Sequence, residues 1–300
     1  NKNKIDKLAS GEKEMVLSSG WAGSQLLNSD DYRAYVGGTT GLIYGFVNDG
    51  FYTVDDFKPF DSKSRTWTLK DGVVNSSPLS GDPRPGNAKF KKLTPVDENS
   101  ANPYTLTDDD RTVIGNTTPK FSGGFGLNAT FKGFDVSAFF NFMYDFDVFN
   151  ANKVMMTTWA SNNYNNFSMD ISAAKRWRNF DDMGNEIRYS PEILAEFNKN
   201  ATMWNPTSIG RPIAMSYAVE DGSFLRLNTA TIGYTLPRVW TNKVGLSRVR
   251  FYASGYNLFT ITGYSGYDPE VDIATGLTPN IDNNRYPRSR TYTFGVQLTF

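Results

Sequence analysis

The feature that most constrains this chain is a two-residue alternation of apolar and polar side chains in three segments, residues 121–131, 134–146 and 291–300. Phe, Tyr, Leu, Val and Ala fill most alternate positions, and Ser, Thr, Asn, Asp and Gly fill most positions between them. Because successive side chains of a strand point to opposite faces, each segment predicts a strand with one apolar and one mostly polar face. Each segment is about as long as a tilted strand that crosses a bilayer.

Other segments show the same alternation less regularly. Residues 224–236 alternate with a change of phase near Asn228, which predicts a β-bulge. Residues 249–259 alternate until Gly255 interrupts the pattern. Weaker strand signals occur at three further places: residues 2–8, 15–27 and 41–52. Together the signals predict about seven to nine strands.

The connections between the clear strands differ greatly in length. Residues 132–133 and 237–246 form short links, whereas residues 53–120, 150–222 and 260–289 are long. Short and long links alternate, so all long links are expected on one side. Short periplasmic turns and long extracellular loops are typical of outer-membrane barrels. The fold class predicted from the residues is all-β, an antiparallel transmembrane β-barrel.

The longest loop carries two helix signals. Residues 171–180 have a helical apolar pattern after a possible cap at Asp170. Ser190, Pro191 and Glu192 give the preferred order of cap, first-turn proline and early acid for a second helix. The expected buried face of the second helix is Ile193, Leu194 and Phe197.

Composition excludes several classes of function. The chain has no Cys and no His, which removes thiolate and imidazole chemistry, and 31 basic residues balance 31 acidic ones, which argues against a nucleic-acid partner. No apolar run approaches the length of a transmembrane helix. Carboxylates at Asp108, Asp109 and Asp110, or at Asp268 and Glu270, are the remaining candidates for catalysis, and solvated loops are the favoured interpretation. The three consecutive aspartates are also a weak candidate for calcium, because they lack the alternating spacing of a calcium loop. No cofactor and no metal site is predicted.

Two sets of apolar residues are assigned roles. Aromatic faces pack well on sugar rings and apolar side chains, so loop aromatics are predicted to bind substrate or a partner, although they are also suited to packing the loops. These residues are Trp159, Tyr164, Trp177, Trp204, Tyr264 and Tyr267. The residues predicted to face lipid are Phe134, Val136, Phe140, Phe142, Tyr292, Phe294, Val296 and Leu298.

Several segments together resemble one protein family. The matching segments are EDGSFLRL at residues 220–227, IGYTLP at 232–237, YNLF at 256–259, YDPE at 267–270, YP at 286–287, RTY at 290–292, the terminal Phe300 and, upstream, NKNKI at 1–5, IGN at 114–116, PKF at 119–121, GGF at 123–125 and KGFD at 132–135. In this order they are similar to the SusC-like, TonB-dependent outer-membrane transporters of Bacteroidetes. Many members also carry a D-x-N-x-D-G-x-I segment before the pair that corresponds to Asp110 and Arg111. Residues 97–110 lack it, so a metal role for that loop is not implied.

The resemblance implies more than the residues alone. Residues 1–300 are expected to be the C-terminal part of a 22-stranded barrel, without the plug domain and earlier strands, in the cell outer membrane. Phe300 is expected to act as the C-terminal assembly signal. The implied function is import of a nutrient oligosaccharide or peptide, with a SusD-like surface lipoprotein as partner and energy from TonB acting through the absent N-terminal part. The chain is not expected to be an enzyme.

Three other interpretations remain open at this point. A passive porin or structural barrel has the same wall but no plug. A soluble carbohydrate-binding β-sandwich would bury the apolar faces as its core. A hydrolase needs a carboxylate pair across a cleft.

Overall fold

The computed structural model describes residues 3–9, 11–28, 30–158, 167–271 and 276–300. Within these residues the strands are β1 (Glu14–Leu17), β2 (Tyr32–Tyr35), β3 (Leu42–Gly45), β4 (Asn48–Phe51), β5 (Ala88–Phe90), β6 (Thr112–Asn116), β7 (Phe121–Phe131), β8 (Phe134–Tyr144), β9 (Asp147–Asn150), β10 (Val219–Asp221), β11 (Phe224–Thr235), β12 (Arg248–Thr262), β13 (Ile281–Asp282) and β14 (Thr291–Thr299). The α-helices are α1 (Ser77–Ser80), α2 (Ala151–Met155), α3 (Pro191–Phe197) and α4 (Arg238–Thr241). No helix in the described ranges is both long and apolar enough to cross a membrane.

Five long strands form one antiparallel sheet, called the wall sheet below. Its order is β14-β12-β11-β8-β7, and its strands are 9 to 15 residues long. Neighbouring strands of this sheet follow each other along the chain and run antiparallel. The two short links therefore lie at one end of the strands, and the long links lie at the opposite end. This confirms the predicted alternation of short and long connections.

The tightest link shows why the strands turn there. Lys132 and Gly133 join β7 to β8, and both have positive φ angles, 46° and 89°. Positive φ at both central residues is the requirement of the hairpin turn whose twist matches the flanking strands. A side chain at Gly133 would also collide with the carbonyl oxygen of Thr235, since an ideal Cβ there lies 2.8 Å from it.

Two bulges keep the alternation in register across the sheet. The pairing of β11 shifts between Leu227 and Thr229 against both neighbours, which confirms the bulge predicted at Asn228. Opposite this shift, β12 contains an extra residue and Asn257 adopts a left-handed φ of 51°. The interruption at Gly255 is therefore a local bulge, and β12 continues to Thr262.

The segments with weaker alternation do not form membrane-length strands. In the described residues five strands have that length, and the weaker signals give only short strands. Residues 41–52 form β3 and β4, and all four residues of β3 are buried, so a core explains their apolar character. Residues 15–27 contribute only to β1, and no strand forms in the described part of residues 2–8.

The long connections are not structureless. Residues 14–116, 147–221 and 263–290 carry the short strands and are called the loop assembly below. They share a core of buried side chains that includes Tyr32, Phe90, Phe149, Trp204 and Ile281, brought together from all three connections. Since a common core needs a fixed arrangement, the loops form one folded layer at the end of the wall strands that carries the long links.

The helix predictions in the longest loop were half correct. The helix at Pro191 forms as expected, and Leu194 is buried, but Ile193 is 57% exposed. Residues 171–180 do not form a helix. Only a single 3₁₀ turn, Met169–Ile171, precedes a turn there, because Trp177 pairs its backbone N–H with Met203 instead of continuing a helical ladder.

Candidate functional site

One face of the wall sheet carries apolar side chains across all five strands. Cross-strand pairing aligns Phe131, Phe134, Tyr234, Phe251 and Val296 in one row. The next row is Ala129, Val136, Ile232, Ala253 and Phe294. All eight residues predicted to face lipid lie on this face, and Phe294 is 80% exposed. Their contact with lipid stays a prediction.

The opposite face of the sheet is mostly polar, although Phe139 is exposed on it, and it contains an ion pair that spans a strand. Arg250 on β12 donates from Nε to Asp135 Oδ1 on β8 at 2.9 Å. The two residues reach each other across β11 because Gly233 lies between them without a side chain. An ideal Cβ at Gly233 would lie 2.5 Å from Arg250 Nη2 and 2.6 Å from Asp135 Oδ1. Thr231 and Ser254 are hydrogen-bonded on the same face, at 2.8 Å.

A buried arginine ties the last loop to this polar face. Arg226 of β11 is 2% exposed, and its two Nη atoms donate to both oxygens of Asp268 at 2.5 and 3.2 Å. Glu270 lies 3.6 Å from Arg226 Nη2 and also pairs with Arg288 at 2.6 Å. Burial raises the pKa of Asp268, but hydrogen bonds led by that from Arg226 hold it below its usual value. The loop is thus pinned by a charged, bidentate contact.

These contacts give the carboxylates at Asp268 and Glu270 a structural role. They were weighed as a catalytic pair, whereas here the same guanidinium neutralises both. Sequence reasoning missed Arg226, although its place on the inward side of an alternating strand was a usable signal. An arginine there needs an anionic partner when it is buried.

Asp110 has a similar structural role in the first loop. Its carboxylate accepts hydrogen bonds from Leu93, Thr94 and Thr107, and Lys92 Nζ lies 3.2 Å away. Burial raises the pKa of Asp110, but these hydrogen bonds lower it to about 2. In the described ranges no group of three or more acidic side chains is arranged to hold a metal ion.

The aromatic residues predicted to bind substrate or a partner have different positions. Trp177 and Trp204 are 3% and 2% exposed, and Trp204 Nε1 donates to the Thr157 carbonyl at 3.3 Å. Tyr264 is buried and donates to Asp282 Oδ2 at 2.7 Å, and burial, followed by Asp282, raises its pKa. Tyr267 is 87% exposed. Trp159 and Tyr164 lie outside the described residues.

The burial of Trp177, Trp204 and Tyr264 favours the packing role for these three rings, and their binding role stays a prediction. Sequence reasoning also missed a set of exposed apolar side chains on the loops. They are Met169, Phe180, Met183, Ile193 and Tyr286. No signal in the alternation pattern marks them, because none lies on a long strand.

Comparison with known proteins assigns this chain to a family. No family model matches the chain. TonB-dependent receptor P3 of Formosa agariphila is 30% identical over an alignment that covers 100% of this chain and 26% of that protein. TonB-dependent receptor SusC of Bacteroides thetaiotaomicron is 32% identical over 50% of this chain and 15% of that protein. The chain belongs to the SusC-like TonB-dependent receptors.

Solved structures agree with this membership at the level of the fold. The RagAB peptide importer in its open-open state superposes with a TM-score of 0.60 at 22% identity, over 99% of this chain and 25% of that chain. The closed-closed state gives a TM-score of 0.59. This receptor chain thus spans about a quarter of the length of the proteins that it matches over its whole extent.

The comparisons confirm the family resemblance, the transmembrane barrel fold and the outer-membrane localisation. The relatives are receptors, which confirms that the chain is not an enzyme. The β-sandwich interpretation is wrong, because in the described residues the apolar face of the wall sheet remains exposed instead of packing on a second sheet.

We predict that Arg226→Gln loosens the last loop of the receptor, because it leaves Asp268 and Glu270 buried without their shared partner. Breaking a buried ion pair from one side costs about 3–5 kcal/mol. Protease cleavage within residues 263–290, followed in the folded barrel, should accelerate strongly. Arg288→Gln is the matched control and should have a much smaller effect, since the Arg288 side chain is 42% exposed.

The same contact predicts a dependence on pH. Because the pKa of Asp268 is lowered in the folded loop, its stabilising contribution is complete above the ordinary value near 3.8 and is lost as pH falls through the lowered value. The cleavage rates of the parent and of Arg226→Gln should therefore converge only as pH falls below 3.8 and through the lowered pKa of Asp268. Equal protection of the loop in parent and Arg226→Gln at neutral pH would contradict the anchoring role.

Proposed function

We propose that this chain supplies part of the barrel wall and the extracellular loops of an outer-membrane importer for a nutrient oligomer, energised by TonB. The observation that carries the proposal is a membrane-length sheet with one apolar and one polar face, in a chain of this receptor family. Apolar side chains suit lipid, and the polar face suits a solvated lumen or a plug domain.

The edges of the wall sheet support a larger barrel. Among the described strands, β7 pairs only with β8, and β14 pairs only with β12. Unpaired strand edges are not tolerated in a bilayer, because their backbone groups find no water there. We therefore assign residues 1–300 to the C-terminal part of a 22-stranded barrel, in which further strands cover both edges.

Orientation follows from the same assignment. If Phe300 closes the last strand at the periplasmic side, the two short links are periplasmic and the loop assembly is extracellular. The nutrient then meets the loop assembly first. The RagAB importer, which has a similar fold, is named for peptides, and an oligosaccharide is the other cargo that the family resemblance implies.

TonB dependence separates this function from a passive porin. Cells that produce the complete receptor should take up a fluorescently labelled mixture of oligosaccharides and oligopeptides. Uptake should stop when TonB is deleted or the proton gradient is collapsed, because import needs energy from the inner membrane. Uptake that continues at the same rate in both conditions would support the porin and contradict energised import.

We further propose that a SusD-like surface lipoprotein docks on the loop assembly. Four large side chains on the loops are exposed. Met183 and Ile193 are 84% and 57% exposed, and Tyr267 and Tyr286 are 87% and 91% exposed. Apolar and aromatic side chains of this kind are the usual anchors of protein interfaces. These side chains are free to contact a partner, whereas Trp177 and Trp204 are already buried within the chain.

Met183→Asp and Ile193→Asp should each reduce co-purification of the lipoprotein, since a hot-spot side chain is worth about 2 kcal/mol or more. The matched control is Val239→Asp, which places the same charge at a 72% exposed apolar position. Val239 lies on a short link, at the end of the strands opposite to the loop assembly. All three variants should assemble normally in the outer membrane. Undiminished lipoprotein recovery with both loop variants would contradict this docking surface.

A further inference from the structure

The loop assembly contains a large cavity between two of the long connections. Its volume is about 780 Å³, and residues of the segments 65–87 and 179–211 form most of its lining. This is the volume range of small-molecule sites. Because both segments belong to the loop assembly, the cavity lies away from the apolar face of the wall sheet.

The lining is strongly basic although the chain as a whole is neutral. Four arginines line the cavity, Arg65, Arg84, Arg188 and Arg211, against one acidic side chain among the described lining residues, Asp82. The whole chain has 31 basic and 31 acidic residues, so this excess is local.

Among the described residues, three of the four guanidinium groups have no neighbour that neutralises them. Arg188 pairs with Glu186. Within the described ranges Arg211 donates only to backbone carbonyls, including that of Gln25 at 3.1 Å. For Arg65 and Arg84 the described part of the chain offers no carboxylate partner, and Arg65 lies 5.2 Å from the centre of the Tyr189 ring. Positive charge held in a recess attracts anions and binds carboxylate or sulfate oxygens through paired N–H groups.

The remaining lining suits a sugar chain. Trp67 and Tyr189 are half-buried and are held by Phe60, whose ring centre lies 4.8 and 6.1 Å from theirs. Asn179 adds a side-chain amide and Asn87 adds an amide oxygen, and both are able to bond hydroxyls. The Nδ2 group of Asn87 already donates to two backbone carbonyls. No described lining residue belongs to a β-strand, so the cavity offers no strand edge on which an extended peptide could pair.

We propose that this cavity binds an anionic oligosaccharide, one that carries carboxylate or sulfate groups, through Arg65, Arg84 and Arg211. This proposal rests on the proposed import function and gives the substrate class for it. The guanidinium groups select the charge, and the aromatic rings and amides select the sugar. Neutral glycans carry no anionic group for the arginines to bind, so they should bind weakly.

Binding is measured by calorimetry on the complete, detergent-solubilised receptor, without any transport step. The probes are trigalacturonate and its methyl ester, and a sulfated galactose tetrasaccharide and its desulfated form. At least one charged probe should bind about tenfold or more tightly than its neutral form, with affinity falling as salt rises. The pair that shows this difference identifies uronate or sulfate as the recognised group.

Arg65→Gln and Arg84→Gln should each weaken that charged probe about tenfold, because each removes a charge-assisted hydrogen bond. Arg84→Lys keeps the charge and should recover part of the loss. The matched control is Arg290→Gln, which removes an exposed arginine beside β14, on the loop side but outside the cavity. Normal lipoprotein co-purification and heat-modifiable migration confirm that the variants are folded.

Three results would overturn the proposal: equal affinity for charged and neutral probes, no effect of either glutamine variant, or tighter binding of tetraglutamate than of both charged glycans. Failure of the import function is distinguishable from these. A receptor that binds the charged glycan in the cavity but shows TonB-independent uptake contradicts the proposed function and leaves the cavity assignment intact.

Discussion

Hydrogen bonding between neighbouring antiparallel strands is the interaction on which the rest of this structure depends. A bilayer offers no water to unpaired backbone groups, so each strand must satisfy its N–H and C=O groups on its neighbours. That requirement fixes the period-two alternation, because every strand then shows one side to lipid and one to the lumen. The bulges at Asn228 and Asn257 matter for the same reason, since they restore the register and leave the apolar rows continuous.

The polar face gives the wall its connection to the loops. Arg226 projects from β11 into the loop assembly, where Asp268 and Glu270 neutralise it. The loop assembly has its own apolar core, so it holds its shape without support from lipid. Together these features place a folded layer, with a basic cavity in it, at the end of the wall strands that carries the long links. A nutrient and a surface partner are proposed to arrive there.

The wall was predictable from sequence because its signal is local. Alternation, the turn at Lys132 and Gly133 and the bulge at Asn228 all follow from residues close together in the chain, as does the helix at Pro191. Alternation alone does not distinguish a membrane barrel from a β-sandwich. Strand length and the alternation of short and long links favoured the barrel, and the family resemblance supported the same choice.

The loop assembly was not predictable in the same way. Its core joins residues far apart in sequence, such as Tyr32 and Ile281, and no period marks such contacts. The strand signal at residues 41–52 did not reveal that residues 42–45 lie buried in the loop core, because full burial on both faces also favours apolar residues. The cavity arginines are likewise scattered from Arg65 to Arg211, and only the fold brings them together.

Single-cysteine labelling along β8 tests the central claim most directly, because the parent chain contains no cysteine. Cysteines at positions 134 to 144 of the complete receptor, probed with a water-soluble maleimide in intact outer membranes, should react at odd positions such as Asp135 and Ser137. Even positions such as Val136 and Phe140 should be protected by lipid. Equal labelling at all positions, or labelling of the even set alone, would contradict a membrane wall with its apolar face in the bilayer.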